Sequence, residues 1–333
     1  MRIHTLAIAL SIGLAATASA QSPAYEGPVI DMHVHATTAD SNGPPGMPLC
    51  PGVGDFAWDG QGSWAQHLGM NVLGRKCENP LAGSPTDEAL RDETIAAMRA
   101  HNVRCLLSGQ KDRVADWMSA GEGLFWPSRS LNLAIFPDQT VEVLEQGFED
   151  GEFVAIAEIT NQYDGILVDD PRMEPFWAFA EANGIPVGVH IGKGTPGGSK
   201  IFPEYTVQAP LQLSPVLKAH PDLRIYVMHA GYPFAEDIKA MLWIYPQLMV
   251  DIAVLQFGTP RAEYHAFLSE LVRAGFSDRI MFGADQMTWP GAIKLGIDAV
   301  NEADYLTYEQ KKDILHDNAA RFLRLDAEGN LPD

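Results

Sequence analysis

His33 and His35, in the run Asp31-Met32-His33-Val34-His35, put two imidazoles two residues apart within an apolar stretch. Residues i and i+2 of a strand face the same way, so both rings can grip one cation. The segment Pro28–His35 reads as a buried strand with its polar groups at the C-terminal end, where barrel enzymes keep their chemistry. A strand with two hydrogen-bonded histidines gives the same pattern, so the pair alone decides nothing. Four later apolar runs each end in one carboxylate or imidazole: Glu158 in Ala155–Ile159, His190 in Val187–Ile191, His229 in Tyr226–Gly231 and Asp285 in Met281–Gln286. Burying such groups without partners costs several kcal/mol apiece. A divalent cation satisfies them together.

The elements that must position these residues follow from the apolar pattern. Strands are predicted at Pro28–His35, Val103–Ser108, Leu131–Phe136, Phe153–Ile159, Pro186–Ile191, Arg224–Met228, Leu248–Val254 and Ile280–Gly283. Helix-like stretches alternate with them at Thr86–His101, Thr140–Asp150, Arg172–Asn183, Leu211–Ala219, Phe234–Ile244 and Arg261–Ala274, with Ala292–Asn301 after the last strand. Thr86-Asp87-Glu88 and Thr140-Val141-Glu142 supply helix starts. Strands this apolar, joined by helical crossovers, are buried on both faces, which predicts a single-domain (β/α)8 TIM barrel. The rival is a doubly wound open sheet, but no Gly-x-Gly-x-x-Gly turn follows the first strand. A length of 333 residues suits one such barrel, and no linker or internal repeat divides the chain.

Residues 36–85 make a 50-residue connection after the first strand, far longer than usual. It carries Phe56, Trp58 and Trp64, and it reads either as a lid over the barrel mouth or as a solvent-facing ornament. Cys50 and Cys77 lie in this Gly/Pro-rich loop, whereas Cys105 sits in an apolar run. The expectation is a Cys50–Cys77 disulfide pinning the lid, with Cys105 buried and free; two unpaired loop thiols are the alternative.

Residues 1–20 read as a secretory signal: Arg2 starts it, Thr5–Ala16 is mostly apolar, and Ala18-Ser19-Ala20 offers small residues for cleavage. This makes 21–333 the mature domain and the location periplasmic or secreted, with a retained anchor as the alternative. No other stretch is long and apolar enough to span a bilayer. The formal charge of −20 becomes about −21 once Arg2 is removed. Such a surface repels phosphate backbones, which argues against a nucleic-acid partner and leaves a small-molecule substrate. Exposed loop aromatics are compatible with a homodimer.

The ordered set His33-x-His35, His190, His229 and Asp285 resembles the amidohydrolase superfamily, specifically its amidohydrolase-related branch, which also contains aminocarboxymuconate semialdehyde decarboxylase. His229-Ala230-Gly231 and the closing helix around Asn318–Leu323 extend the likeness, which spans Val29 to about Leu325. The resemblance implies that His33, His35 and Asp285 hold a first metal, zinc by preference for imidazole and carboxylate ligands, with manganese, iron and cobalt open. It implies that His190 binds the same ion or a second one. His229 is either a second-site ligand or a metal-free acid/base that orients the attacking water. Glu158 stands where binuclear members commonly carry a bridging lysine, and reads as a bridge or as a carboxylate hydrogen-bonded to a histidine.

In such a centre the ion lowers the pKa of bound water from 15.7 to about 7 and polarises the substrate carbonyl. Asp285 is suited to take the water's proton and pass it to the leaving group. The leading expectation is therefore a hydrolase of amide, ester or lactone bonds. A non-oxidative decarboxylase comes second and a non-catalytic metal-binding protein third. Asp31 reads as a supporting group on the His33/His35 face. Lys193 reads equally as a contact to a substrate oxygen or as a surface lysine of a flexible loop; its Gly-rich surroundings lack the order of a phosphate-binding loop. Tyr232, Trp289 and Trp126 are candidate pocket walls, while His67, His101, His220, His265 and His316 read as structural.

Overall fold

The structure, a computed structural model, describes residues 22–52, 58, 60–69, 74–194 and 205–331. The proposed leader, residues 1–20, and Phe56 lie outside the described residues.

Eight parallel strands follow one another in sequence order around the sheet: β1 (Val29–Ala36), β2 (Val103–Gly109), β3 (Phe125–Leu131), β4 (Ala155–Ile159), β5 (Val187–His190), β6 (Ile225–Met228), β7 (Leu248–Asp251) and β8 (Ile280–Met281). The ring is closed between β8 and β1 by Met32 N–H donating to Phe282 O at 2.9 Å and Asp285 N–H donating to His33 O at 2.8 Å. Helices lie between the strands, which makes the molecule a TIM barrel.

Seven of the strands fall where the apolar runs place them, and the third does not. It forms at Phe125–Leu131, a segment containing Pro127 and Arg129, while Leu131–Phe136 turns away. Asn132 explains the turn, because its Oδ1 accepts from both Ala134 N and Ile135 N and competes with a ladder. Partners recruited from elsewhere make the polar strand viable: Arg129 pairs with Glu152 at 2.6 Å, and Ser128 Oγ lies 3.0 Å from both Leu107 O and Ala157 O. The misplaced strand also hid the helix Lys111–Ala120 that precedes β3.

Side chains of the strands divide into two apolar layers. Val29, Val34, Cys105, Leu107, Ile156, Val187, Val227 and Val250 pack outward against the helices. Ile30, Met32, Leu106, Trp126, Ala155, Ala157, Tyr226 and Met281 fill the lower barrel. Trp126, expected at the pocket, therefore belongs to the barrel interior, where Arg104 stacks on it at 4.2 Å.

Two bulges break the strict alternation. Between the pairs Asp31↔Cys105 and Val34↔Leu107, β1 advances three residues while β2 advances two. Between Arg129↔Ile156 and Leu131↔Ile159, β4 likewise advances three against two on β3. An extra residue lets Met32 fill the core while His33 and His35 also face inward, and lets Ala157 do so beside Glu158. Asp31 consequently pairs with the outward Cys105 rather than sharing the face of His33 and His35.

The long connection after β1 reaches the mouth. Leu49 and Leu81 exchange backbone hydrogen bonds of 2.9 and 2.7 Å, and Cys50 and Cys77 are joined by a disulfide. Met47 O accepts from Trp289 Nε1 at 2.9 Å, which ties this segment to the loop after β8. Cys105 is buried and free. No helix among the described residues is long and apolar enough to cross a membrane.

Candidate metal centre

His33, His35, Glu158, His190, His229 and Asp285 converge at the C-terminal ends of their strands. His33 Nε2 lies 3.1 Å from His35 Nε2 and 3.8 Å from Asp285 Oδ1, and His35 Nε2 lies 3.0 Å from that same oxygen. Glu158 spans the space between two sets of rings. Its Oε2 lies 3.8 Å from His33 Nε2 and 3.7 Å from His35 Nε2. Its Oε1 contacts His190 Nδ1 and lies 3.9 Å from His229 Nε2.

The hydrogen bonds behind the rings set what faces inward. His33 Nδ1–H donates to Asp251 Oδ2 at 3.1 Å. His35 Nδ1–H donates to Ser108 Oγ at 3.1 Å, whose own proton goes to Val34 O. His229 Nδ1–H donates to Ala253 O at 3.1 Å. In the neutral rings each Nε2 therefore presents a lone pair to the centre. Two lone pairs 3.1 Å apart, with a buried Asp285 Oδ1 that has no hydrogen-bond donor, repel one another unless something positive stands between them. The donor atoms of His33, His35 and Asp285, and those of His33, Glu158 and His229, form two groups whose members lie within 4.8 Å of one another. His190 stands outside both groups; Tyr163 holds its Nε2 at 2.9 Å.

The charges agree with this geometry. Burial works against an ionised Asp285, yet His33 and His35 outweigh it and hold the carboxyl down to about 2. Burial also opposes Glu158, but His190 first and then His229 and His33 keep it well below the carboxylate range. Conversely, Asp285 and Asp251 overcome burial to push His33 well above the imidazole range. The site demands positive charge, and a cation supplies it without a proton. The residues present fit a divalent metal of the oxygen- and nitrogen-liganded kind.

The backbone is bent to reach this arrangement. His229 (φ 61°) and Asp285 (φ 49°) both occupy the left-handed region, at a cost of about 1–3 kcal/mol each. Asp251 Oδ1 captures His229 N–H at 2.7 Å, and His33 O captures Asp285 N–H at 2.8 Å. Gly283 is needed for the second contact, because a Cβ there would stand 3.0 Å from His33 Cβ and 2.9 Å from Ala253 Cβ.

Sequence reasoning missed three supporting residues. Asp251 is fully buried at the end of β7 and holds His33, His229 and Ala253 N–H at once. Gln286 clamps the backbone of His35, accepting its N–H at 2.9 Å and donating to its carbonyl at 2.7 Å. Tyr163 follows β4 and backs His190. Asp251 ends an apolar run as Glu158 does, a signal that was there to be read.

A cavity of about 740 Å³ opens onto the centre, with His35, Glu158, His190, His229 and Asp285 in its wall. Tyr232, Trp289 and Lys193 line it, as does the long connection through Thr37, Asn42, Leu49 and Leu68. Its aromatic residues Trp58 and Trp64 do not, and neither do His67, His101, His220, His265 and His316.

Comparison with known proteins adds to the geometry. No match is found among curated proteins. Among solved structures, a dihydroxybenzoic acid decarboxylase from Polaromonas sp. JS666, with bound manganese and an inhibitor, is 17% identical with a TM-score of 0.57; the match covers 91% of this chain and 98% of that one. A 2,6-dihydroxybenzoate decarboxylase is 18% identical at a TM-score of 0.56, covering 92% and 100%. A probable 2-pyrone-4,6-dicarboxylic acid hydrolase from Acinetobacter baumannii is 12% identical at 0.57, covering 89% and 99%. At these identities the likeness is one of fold. The family model described as amidohydrolase matches residues 30–325. The chain belongs to the amidohydrolase family of enzymes.

Proposed function

We propose that the protein is an exported, metal-dependent hydrolase of an ester, lactone or amide bond, built on a pair of divalent cations. The observation that carries this reading is the division of Glu158, whose Oε2 faces His33 and His35 while its Oε1 faces His190 and His229. His33, His35 and Asp285 would hold one cation, His190 and His229 the other, and Glu158 would lie between them; zinc suits this donor set. Bound there, divalent ions polarise a carbonyl and acidify water.

The chain's own residues do the rest. Asp285, ionised at neutral pH, accepts the proton of the attacking water and delivers it to the leaving group. Asp251 and Ser108 fix the rings of His33 and His35, so their Nε2 atoms stay turned to the centre. The surrounding apolar wall of Leu49, Leu68, Phe257 and Trp289 limits competing water around the scissile bond. The Cys50–Cys77 disulfide supports export, since such bonds persist in oxidising compartments.

The test couples elemental analysis of the mature protein to a screen of esters, lactones and amides in ¹⁸O-water. Two equivalents of metal and a product carrying one ¹⁸O are expected. One equivalent sinks the pair of cations. Carbon dioxide released without ¹⁸O incorporation replaces hydrolysis by decarboxylation, the activity named for two of the proteins that share this fold.

A further inference from the structure

We propose that Lys193 is a built anion subsite, so that the natural substrate carries a carboxylate away from the bond that is cleaved. The inference rests on the reading of this cavity as the substrate site and adds what the substrate must present there.

Lys193 is not a lysine on a loose loop. Its backbone N–H donates to Tyr232 O at 2.7 Å. The residue before it, Gly192, accepts from Gln162 Nε2 and donates to Gln162 Oε1, both at 3.3 Å, and Gly194 N–H donates to Gln208 Oε1 at 2.7 Å. Gly192 leaves little room for a side chain, because a Cβ there would stand 3.1 Å from Tyr232 O. Three consecutive residues are thus fastened to three different elements, and the side chain starts from a fixed point on the cavity wall.

The side chain is equally placed. Its ammonium rests 4.5 Å from the centroid of the Tyr232 ring, whose hydroxyl donates to Glu263 at 3.3 Å. Among the described residues, Lys193 forms no ion pair, and it is the sole lysine or arginine lining the cavity. Glu263, held by the Tyr232 hydroxyl, acts on this half-buried ammonium only from a distance, and the one aromatic face returns about 0.5–2 kcal/mol of its desolvation. In a chain of net charge −20, a cation held this firmly beside apolar walls and outside any direct ion pair among the described residues is suited to an anionic ligand with an apolar body. A carboxylate completes the ammonium's hydrogen bonds while leaving the reacting group of the substrate to the metal centre.

The test is calorimetric titration of the metal-loaded mature protein with benzoate and, separately, with benzamide, a neutral partner of the same size. Benzoate is expected to bind at least about tenfold more tightly, the preference of a charge-assisted contact. Lys193→Met should bring the ratio close to one, and Lys193→Arg should keep most of it. Lys193→Gln serves in place of the methionine variant if that fails to fold. A ratio that survives in either neutral variant overturns the proposal, as does a wild-type protein that does not prefer benzoate. Benzoate binding that depends on Lys193 in a protein that hydrolyses nothing sinks the hydrolase and leaves the subsite standing; hydrolysis with a ratio indifferent to Lys193 does the reverse.

Discussion

His33 Nδ1 lies 3.1 Å from Asp251 Oδ2, and this one contact fixes which edge of the imidazole faces the cluster of donor atoms. Asp251 is fully buried and simultaneously takes the His229 N–H through its other oxygen, so a single carboxylate aligns donors on β1 and after β6. Asp251→Asn keeps the shape but loses the charge that holds the His33 ring. Metal affinity is expected to fall by about 10–100-fold, the usual effect of removing such a partner. Titration against a competing chelator measures it, and unchanged affinity would remove Asp251 from the account.

Asp285→Asn separates ligation from proton transfer. The amide still offers an oxygen beside His35, but it cannot accept a proton, so turnover should drop by about 10²–10⁴-fold while most metal stays bound. Metal content and kcat, measured on the same preparation, check this. A rate near that of the wild type refutes the assignment of Asp285 as the base.

His220 gives a pH dependence independent of the centre. Burial works against its charge, but Glu181 at 2.9 Å and Glu174 at 3.3 Å outweigh it and raise the imidazole above its usual range. A raised folded value means the contribution is fully present below the unfolded value of about 6.5 and is lost as pH rises through the folded value. His220→Gln should therefore cost about 1 kcal/mol at pH 5 and little at pH 9, read as the gap between the two melting curves. A gap that widens with rising pH contradicts this.

The cysteines allow a count. The chain holds three, of which Cys50 and Cys77 are joined and Cys105 is buried. Denatured without reductant, the protein should show one reactive thiol, and after reduction three. Three before reduction would rule the link out. The bridge closes a loop with a separation of 27 residues, so Cys50→Ser with Cys77→Ser should lower stability by up to about 3.5 kcal/mol.

Much of this arrangement was legible in the residues. Each donor sits at the end of an apolar run, and a barrel forces such ends to one mouth, so the ligand set needed only topology. What stayed hidden was the depth of each side chain within the strand. Alternation places Asp31 with His33 and His35, and only the bulge before Val34, set by pairing with a strand some 70 residues away in sequence, turns Asp31 outward. β3 was hidden for a similar reason: Arg129 and Ser128 look unsuited to a strand until Glu152, Leu107 and Ala157 are brought to them. Tyr163 and Gln286 lie in connections, where no periodicity marks a side chain as near or far.

Because β1 and β4 each carry one supernumerary residue midway, their lower and upper portions keep separate side-chain phases. The lower portions, with Ile30 and Ala155, answer to packing, whereas His33 and Glu158 answer to the ligand. Mutations that adjust the barrel floor can then accumulate without rotating the donors, and donors can be exchanged without loosening the floor. A scaffold divided in this manner accommodates new reactions cheaply, which is in keeping with one fold serving both a hydrolase and decarboxylases.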